Sequence, residues 1–317
     1  MADDLEIRLL RHFVAVAEEL HFTRASQRLF VTQQSLSRDI RRLEDHFGVR
    51  LFERTSRQVE LTAAGQALLT RSRELLSLYA TTVREVRGEP SALTVDVVGP
   101  GLTPALVLAT ARQRTPDIEF FARFLTGAQA AMPMLLADQI DVTFGRHVDL
   151  ADQLPHRIVR YEPLTVLLPQ QHELAQLDAV PFESLRDTGL CIRAGNHVTP
   201  AWSHAMRQLL APFGADPESG HPHVQGADEL AQHIRDRNAP ILTMSSQPDV
   251  PAAVMRPVVD PIPLFPWTMI WRPATETPAL RSLHGAVDEL IATEDWLTIP
   301  DNSWLPEPEA SRRTHLG

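Results

Sequence analysis

Residues 21–65 read HFTRASQRLFVTQQSLSRDIRRLEDHFGVRLFERTSRQVELTAAG, and their closely spaced helix signals constrain the fold more than any other part of the chain. Upstream, Leu10, Phe13, Val14 and Ala17 recur at helical spacing, so an amphipathic helix is expected over Ile7–Glu19. Thr23 reads as the N-cap of a second helix with Ala25 and Leu29 turned inward, and Phe30 and Val31 end it. Thr32 then caps a third helix running to about His46, which Gly48 stops.

On that third helix Leu36, Ile40, Leu43 and Phe47 form one stripe. At about 100° per residue, Gln34, Arg38, Arg41 and Asp45 lie opposite. Ser37 and Arg42 flank this outer face, and Gln33 is displaced toward the helix start. Amides, a hydroxyl and arginine forks at the start of an exposed helix are the groups that bond base edges and phosphates in a DNA major groove. After Gly48, residues 50–54 and 57–61 read as two short strands around Thr55-Ser56, a wing with Arg54 and Arg57 at its tip, and Thr62 caps the next helix. An arginine-bearing helix face by itself is usually only solvated. Here the two-helix spacing, the wing and the capped exit helix agree on a winged helix-turn-helix that binds double-stranded DNA. The expected contacts are Thr32, Gln33, Gln34, Ser37, Arg38, Arg41, Arg54 and Arg57, within and just beyond a helix-turn-helix motif over 22–41.

The net charge of −10 runs against DNA binding until it is divided. Residues 1–90 hold 14 Arg and 13 acids, about +1, and residues 91–317 hold 16 Arg and 27 acids, −11. Affinity must therefore come from a few placed cations rather than from a broadly basic domain. The chain has no lysine, so every cationic contact is an arginine fork, suited to phosphate and guanine edges. Pro90 is the only proline among the first 90 residues and the other 24 follow it, which marks a domain boundary. Residues 62–88, unbroken except for Gly65 in the first turn, read as one long helix. Leu69, Leu76 and Val83 repeat every seven residues along it, with Ser72, Tyr79 and Val86 between, a short coiled-coil-like seam.

The N-terminal segment resembles the DNA-binding domain of LysR-type transcriptional regulators. The matching residues are Phe13, Ala17, Phe22-Thr23-Arg24-Ala25, Leu29, Thr32-Gln33, Leu36-Ser37-Arg38, Ile40, Leu43-Glu44, Gly48, Leu51-Phe52-Glu53-Arg54, Leu61-Thr62 and Gly65. Gln34 departs from the family's usual proline and Asp39 from its usual glutamine, so operator preference does not carry over. The resemblance implies a regulator that dimerises through the linker helix and forms tetramers, with RNA polymerase as a further partner. Pairing makes physical sense, since two recognition helices on two half-sites bind far better than one.

Beyond Pro90, expected strands (93–98, 118–125, 141–145, 164–168, 189–192, 239–244, 267–271) alternate with expected helices (102–114, 129–138, 278–292), which implies parallel sheets with crevices at the strand ends. This half is similar to the LysR effector domain, of the type 2 periplasmic-binding-protein kind. Its marks are Pro116, the run from Leu136 to Asp141 and Phe144, Leu167-Leu168-Pro169 with His172, and Pro266-Trp267 through Trp271-Arg272. Glu173 departs from the usual proline. The organisation implied is a winged helix-turn-helix domain over 5–62, a linker helix over 63–89, and an effector domain over 92–297. Lobe 1 takes 92–162 and 267–297, lobe 2 takes 163–266, and 298–317 form a flexible tail.

The cleft between lobes would draw Pro100, Thr103, Thr126 and Arg146 from lobe 1 and Asn196, Val198 and Thr199 from lobe 2. Helix N-termini, hydroxyls and an arginine suit a small, anionic effector. No catalytic residue, cofactor or metal site is expected. His172-Glu173 lacks a second histidine, and His221-Pro222-His223 sits in a Gly/Pro-rich stretch. Cys191 is expected as a buried strand thiol. No run nears the roughly 20 apolar residues of a membrane helix. Asp3, Asp4 and Glu6 precede any apolar stretch, so no signal peptide is expected and the cytoplasm fits. Two rival readings are a ligand-independent architectural DNA-binding protein, and an enzyme or transport-type binding protein carrying an incidental N-terminal domain.

Overall fold

In a computed structural model the described residues are 5–54, 59–86, 92–146, 154–214, 222–273 and 277–309. The chain divides near residue 90 into two units.

In the first unit α1 (Ile7–Glu19), α2 (Phe22–Arg28) and α3 (Gln33–Phe47) precede a small hairpin of β1 (Phe52–Arg54) and β2 (Val59–Leu61), and α4 (Ala63–Val86) follows. Leu10, Phe13 and Val16 of α1, Ala25 of α2, and Leu36, Ile40 and Leu43 of α3 close one core over Leu51 and Phe52. The Phe52 ring lies 5.4 Å from that of Phe13 and 6.0 Å from that of Phe22. Thr32 caps α3 by accepting from the Ser35 amide at 3.1 Å, and Gly48 ends it in the left-handed conformation at φ 67°. Thr62 likewise accepts from the Gly65 amide at 3.0 Å.

Three local expectations are corrected. The cap of α2 is His21, whose ring accepts from the Arg24 amide at 3.4 Å, because burying Phe22 draws the helix start back by two residues. Phe47 is 42 % exposed: the helix stops at Gly48, no later turn covers the ring, and it packs edge-on against His46. On α4, Leu69 and Leu76 pack into the first unit's own core and Ser72 is buried, so the heptad stripe is mostly consumed within the domain. The apolar face left open holds Leu75, Leu78, Tyr79 and Val86.

The second unit opens with β3 (Ala92–Asp96), α5 (Thr103–Arg114), β4 (Glu119–Arg123), α6 (Ala128–Leu136) and β5 (Val142–Gly145). It continues with the long β6 (His156–Pro169), β7 (Val180–Pro181), α7 (Pro200–Leu209), α8 (Ala227–Arg237), β8 (Ile241–Met244), β9 (Ala253–Val259), β10 (Ile262–Trp271), α9 (Pro278–Glu294) and β11 (Ser303–Trp304). Strand order is β4-β3-β5-β10-β6-β9-β7, with β8 on β6 and β11 on β10. The sheet is mixed rather than parallel. β3 runs parallel to β4 and β5, but β10 is antiparallel to β5 and β6, and β6 is antiparallel to β8 and β9. The reason is that the chain crosses between lobes twice, out on β6 and back on β10. β6 pairs with β10 over residues 156–163, then with β8 from Leu164 and β9 from Thr165.

The expected strand at 189–192 reduces to a single parallel bridge from Cys191 to Ile241. Cys191 is half-buried rather than buried, and burial pushes its thiol up. Residues 298–309 are not a loose tail, since β11 pairs with β10 and Leu305 and Glu309 are buried. The sequence reading also passed over α7, α8 and β9. Their apolar periodicity is short and sits among prolines and polar residues.

Candidate functional site

In the first unit Thr32, Gln33, Gln34, Arg38 and Arg41 are exposed, and Ser37 is half-buried. Among the described residues Arg38 and Arg41 pair with no acid. Neighbouring Arg24, Arg28 and Arg42 are tied to Glu19, Glu18 and Glu6. Two unneutralised guanidiniums thus stand about one helical turn apart beside a polar helix start. The Thr23 hydroxyl donates to the Gln33 side-chain Oε1 at 3.1 Å, fixing that side-chain amide across the turn between α2 and α3.

The wing begins where Glu44 accepts from the Leu51 and Phe52 amides at 2.9 and 3.3 Å. That bond sets the direction in which the chain leaves α3. Arg54 ends β1, while Arg57 and the tip at 55–58 lie outside the described residues.

Asp39 does not belong to the outer face. It is buried, and its carboxylate accepts from Arg8 at 2.6 Å and bonds the His12 ring at 2.8 Å. This departure from the family pattern braces α3 against α1.

In the second unit Asn196 and Thr199 meet lobe 1 at Gly99 and Gly127, Thr103 is buried beside the crossover strand β6, Val198 is half-buried, and Pro100 and Thr126 are exposed. Three glycines allow the close approach. A Cβ on Gly99 would sit 2.5 Å from Cβ of Asn196, one on Gly101 would sit 2.2 Å from the Pro248 ring, and one on Gly127 would sit 3.1 Å from the Thr199 methyl. Gly127 precedes α6 and Thr199 caps α7, so two helix N-termini converge from opposite lobes.

Thr103 is wholly buried. Its hydroxyl donates to Glu162 at 2.7 Å and accepts from Arg160 at 2.8 Å. Glu162, on the crossover strand and itself 0 % exposed, gathers donors from both lobes. Trp267 Nε1 lies at 2.6 Å, the Ser246 amide at 2.7 Å and the Ser245 hydroxyl at 3.1 Å. The sequence reading named Thr103 but missed Glu162 and Arg160. The available signal was a charged pair entering the apolar run Leu164–Leu168.

Arg146 is already engaged within the chain. Its guanidinium bonds the Glu309 carboxylate at 2.5 Å and the Glu307 carbonyl at 2.7 Å. Two further buried groups shape the strand ends. Asp96 accepts from the Val98 and Leu125 amides, both at 3.0 Å, and from Thr143 at 2.8 Å. Burial raises its carboxyl pKa, against the pull of those three donors. His197 is buried against the Trp202 ring, and burial above all lowers its imidazole pKa to about 3, so the ring is neutral at physiological pH. His172 accepts from the Leu174 amide at 3.2 Å and caps a short helical turn. His223 bonds the Gly195 carbonyl, while His221 lies outside the described residues.

None of the described helices is long and apolar enough to cross a membrane. Residues 7–66 match the family of bacterial regulatory helix-turn-helix proteins of the lysR type, and residues 93–292 match the LysR substrate binding domain. The chain is 37% identical over 234 residues to the uncharacterized HTH-type transcriptional regulator YnfL of Escherichia coli K12, covering 67% of this chain and 78% of that protein. It is 29% identical over 309 residues to the Hca operon transcriptional activator HcaR of Escherichia coli K12, covering 91% and 99%. Full-length BenM has the same fold at TM-score 0.55 and 25% identity, covering 94% of this chain and 100% of that one. Two family models that together span most of the chain, on a structure with the matching architecture, make this protein a member of the LysR family of helix-turn-helix transcriptional regulators.

Proposed function

We propose that this regulator binds its operator through the outer face of α3 and the wing, and responds to a small anionic effector held between the lobes of its second unit. The observation that carries the DNA reading is that Arg38 and Arg41, exposed and paired with no acid among the described residues, stand beside Thr32, Gln33 and Gln34. Neighbouring Arg24, Arg28 and Arg42 are neutralised by glutamates, so the field of a barely basic domain is concentrated on one face. Self-association would use the open Leu75, Leu78, Tyr79 and Val86 face of α4. Protection from nuclease upstream of the adjacent gene, lost in Arg38→Ala, tests the reading.

The effector reading draws support from the α6 and α7 N-termini meeting at Gly127 and Thr199 and from the hydroxyls around them. Arg146 contributes less than the sequence suggested, because Glu309 already neutralises it. Titration calorimetry with small carboxylic acids on wild type and Thr199→Val is the test. Equal affinity in both proteins would remove the α7 N-terminus from the site.

A further inference from the structure

We propose that residues 295–309 are an intramolecular strap that fixes the lobes of the second unit in the arrangement seen here. The segment touches both crossover strands and then each lobe in turn. The Trp296 carbonyl accepts from the Tyr161 amide of β6 at 2.8 Å. The Asn302 carbonyl accepts from the Ile262 amide of β10 at 2.8 Å, and Ser303 and Trp304 continue alongside Ile262 and Pro263. The Glu307 amide then donates to Gln208 of α7, in lobe 2, at 2.8 Å. Glu309 finally binds Arg146, directly after β5 in lobe 1, at 2.5 Å.

The last contact is a buried ion pair, with both side chains at most 6 % exposed. A second Arg146 nitrogen, Nη1, is buried without a partner among the described residues. Releasing Glu309 would therefore leave a buried guanidinium with little to bond, so the strap end and the lobe 1 strand end are coupled. A segment bonded to both hinge strands and to both lobes opposes any rotation of one lobe against the other. The chain supplies its own carboxylate to the arginine that the sequence suggested for a ligand.

The test uses the full chain without any ligand, so its failure is distinct from failure of the effector reading. Hydrogen exchange is followed in wild type, Glu309→Ala and Gln208→Ala, the second variant cutting only the lobe 2 end and leaving the buried pair intact. Both variants should speed exchange roughly fivefold or more in peptides spanning 97–103 and 195–202, which face each other between the lobes, with α3 unchanged. Acceleration confined to 303–309 would overturn the proposal, as the strap would then be loose without freeing the lobes. Acceleration spread evenly over the chain, or none, would overturn it as well.

Discussion

Thr103 of lobe 1 donates to Glu162 of the crossover strand at 2.7 Å, and that one carboxylate also holds Trp267 and the backbone of Ser246. Removing it strands several buried donors and the Arg160 charge together. Glu162→Ala should cost about 3–5 kcal/mol in the second unit, the range for breaking a buried charged cluster by deleting one partner. Urea unfolding followed by tryptophan fluorescence measures this. A loss under about 1 kcal/mol would mean that water replaces the carboxylate readily.

Gly65 opens α4 against the wing, where a Cβ would lie 2.1 Å from the Leu51 carbonyl oxygen. Alanine is the better helix former by about 1 kcal/mol. The clash is with backbone and cannot be relieved by a rotamer, so overpacking of about 1–3 kcal/mol should win. Gly65→Ala is expected to lower the melting temperature of the first unit. A variant more stable than wild type would show that the contact yields.

Arg38→Ala and Arg41→Ala should weaken operator binding without changing the melting temperature, since both side chains are exposed and pair with no acid among the described residues. If each meets phosphate, the salt slope of log K falls by about 1 per arginine. If Arg38 reads a base instead, the loss is about 1–3 kcal/mol on the operator and small on random DNA. Fluorescence anisotropy at several salt concentrations separates the two cases.

Asp39→Ala should destabilise the first unit by about 1–3 kcal/mol by removing the acceptor for buried His12. Arg8 is half exposed and finds water, so its share is small. Thermal unfolding of the variant checks this. The same substitution should weaken DNA binding only as far as α3 shifts.

His197 predicts a pH dependence of the second unit. Its folded pKa, lowered by burial to about 3, lies below the ordinary 6.5, so the unfolded chain binds the extra proton between those values. Stability from keeping the ring neutral is present above pH 6.5 and lost as pH falls toward 3. The slope approaches about 1.4 kcal/mol per pH unit. His197→Phe should flatten that limb of the unfolding curve, and the His197 ring resonances should not titrate above pH 5.

Much of the first unit was legible because its signals are short-range. The caps at Thr32 and Thr62, the stop at Gly48 and the Leu36/Ile40/Leu43 stripe each depend on residues within one or two turns. The errors there came from longer reach: Phe22 pulls the α2 start back to His21, and the domain's own core takes Leu69 and Leu76 from the expected seam. In the second unit the C-terminal ends of β5, β6, β8 and β10 were readable to within a residue, while the starts of β6 and β10 and the partners of polar groups were not. Glu309 stands 163 residues from Arg146, and no local pattern couples them.

By itself the amino-acid order determined the helix-turn-helix, the break at Pro90, the alternation beyond it and the arginines of the outer face. Periodicity and capping are properties of neighbouring residues, so a linear reading captures them. Only the tertiary structure decided that Asp39 faces inward, that the sheet is mixed, that Glu162 joins the lobes, and that the C-terminal segment binds Arg146. Each of those depends on desolvating a charge against partners brought close by folding, and the cost of burying it unpaired selects the arrangement.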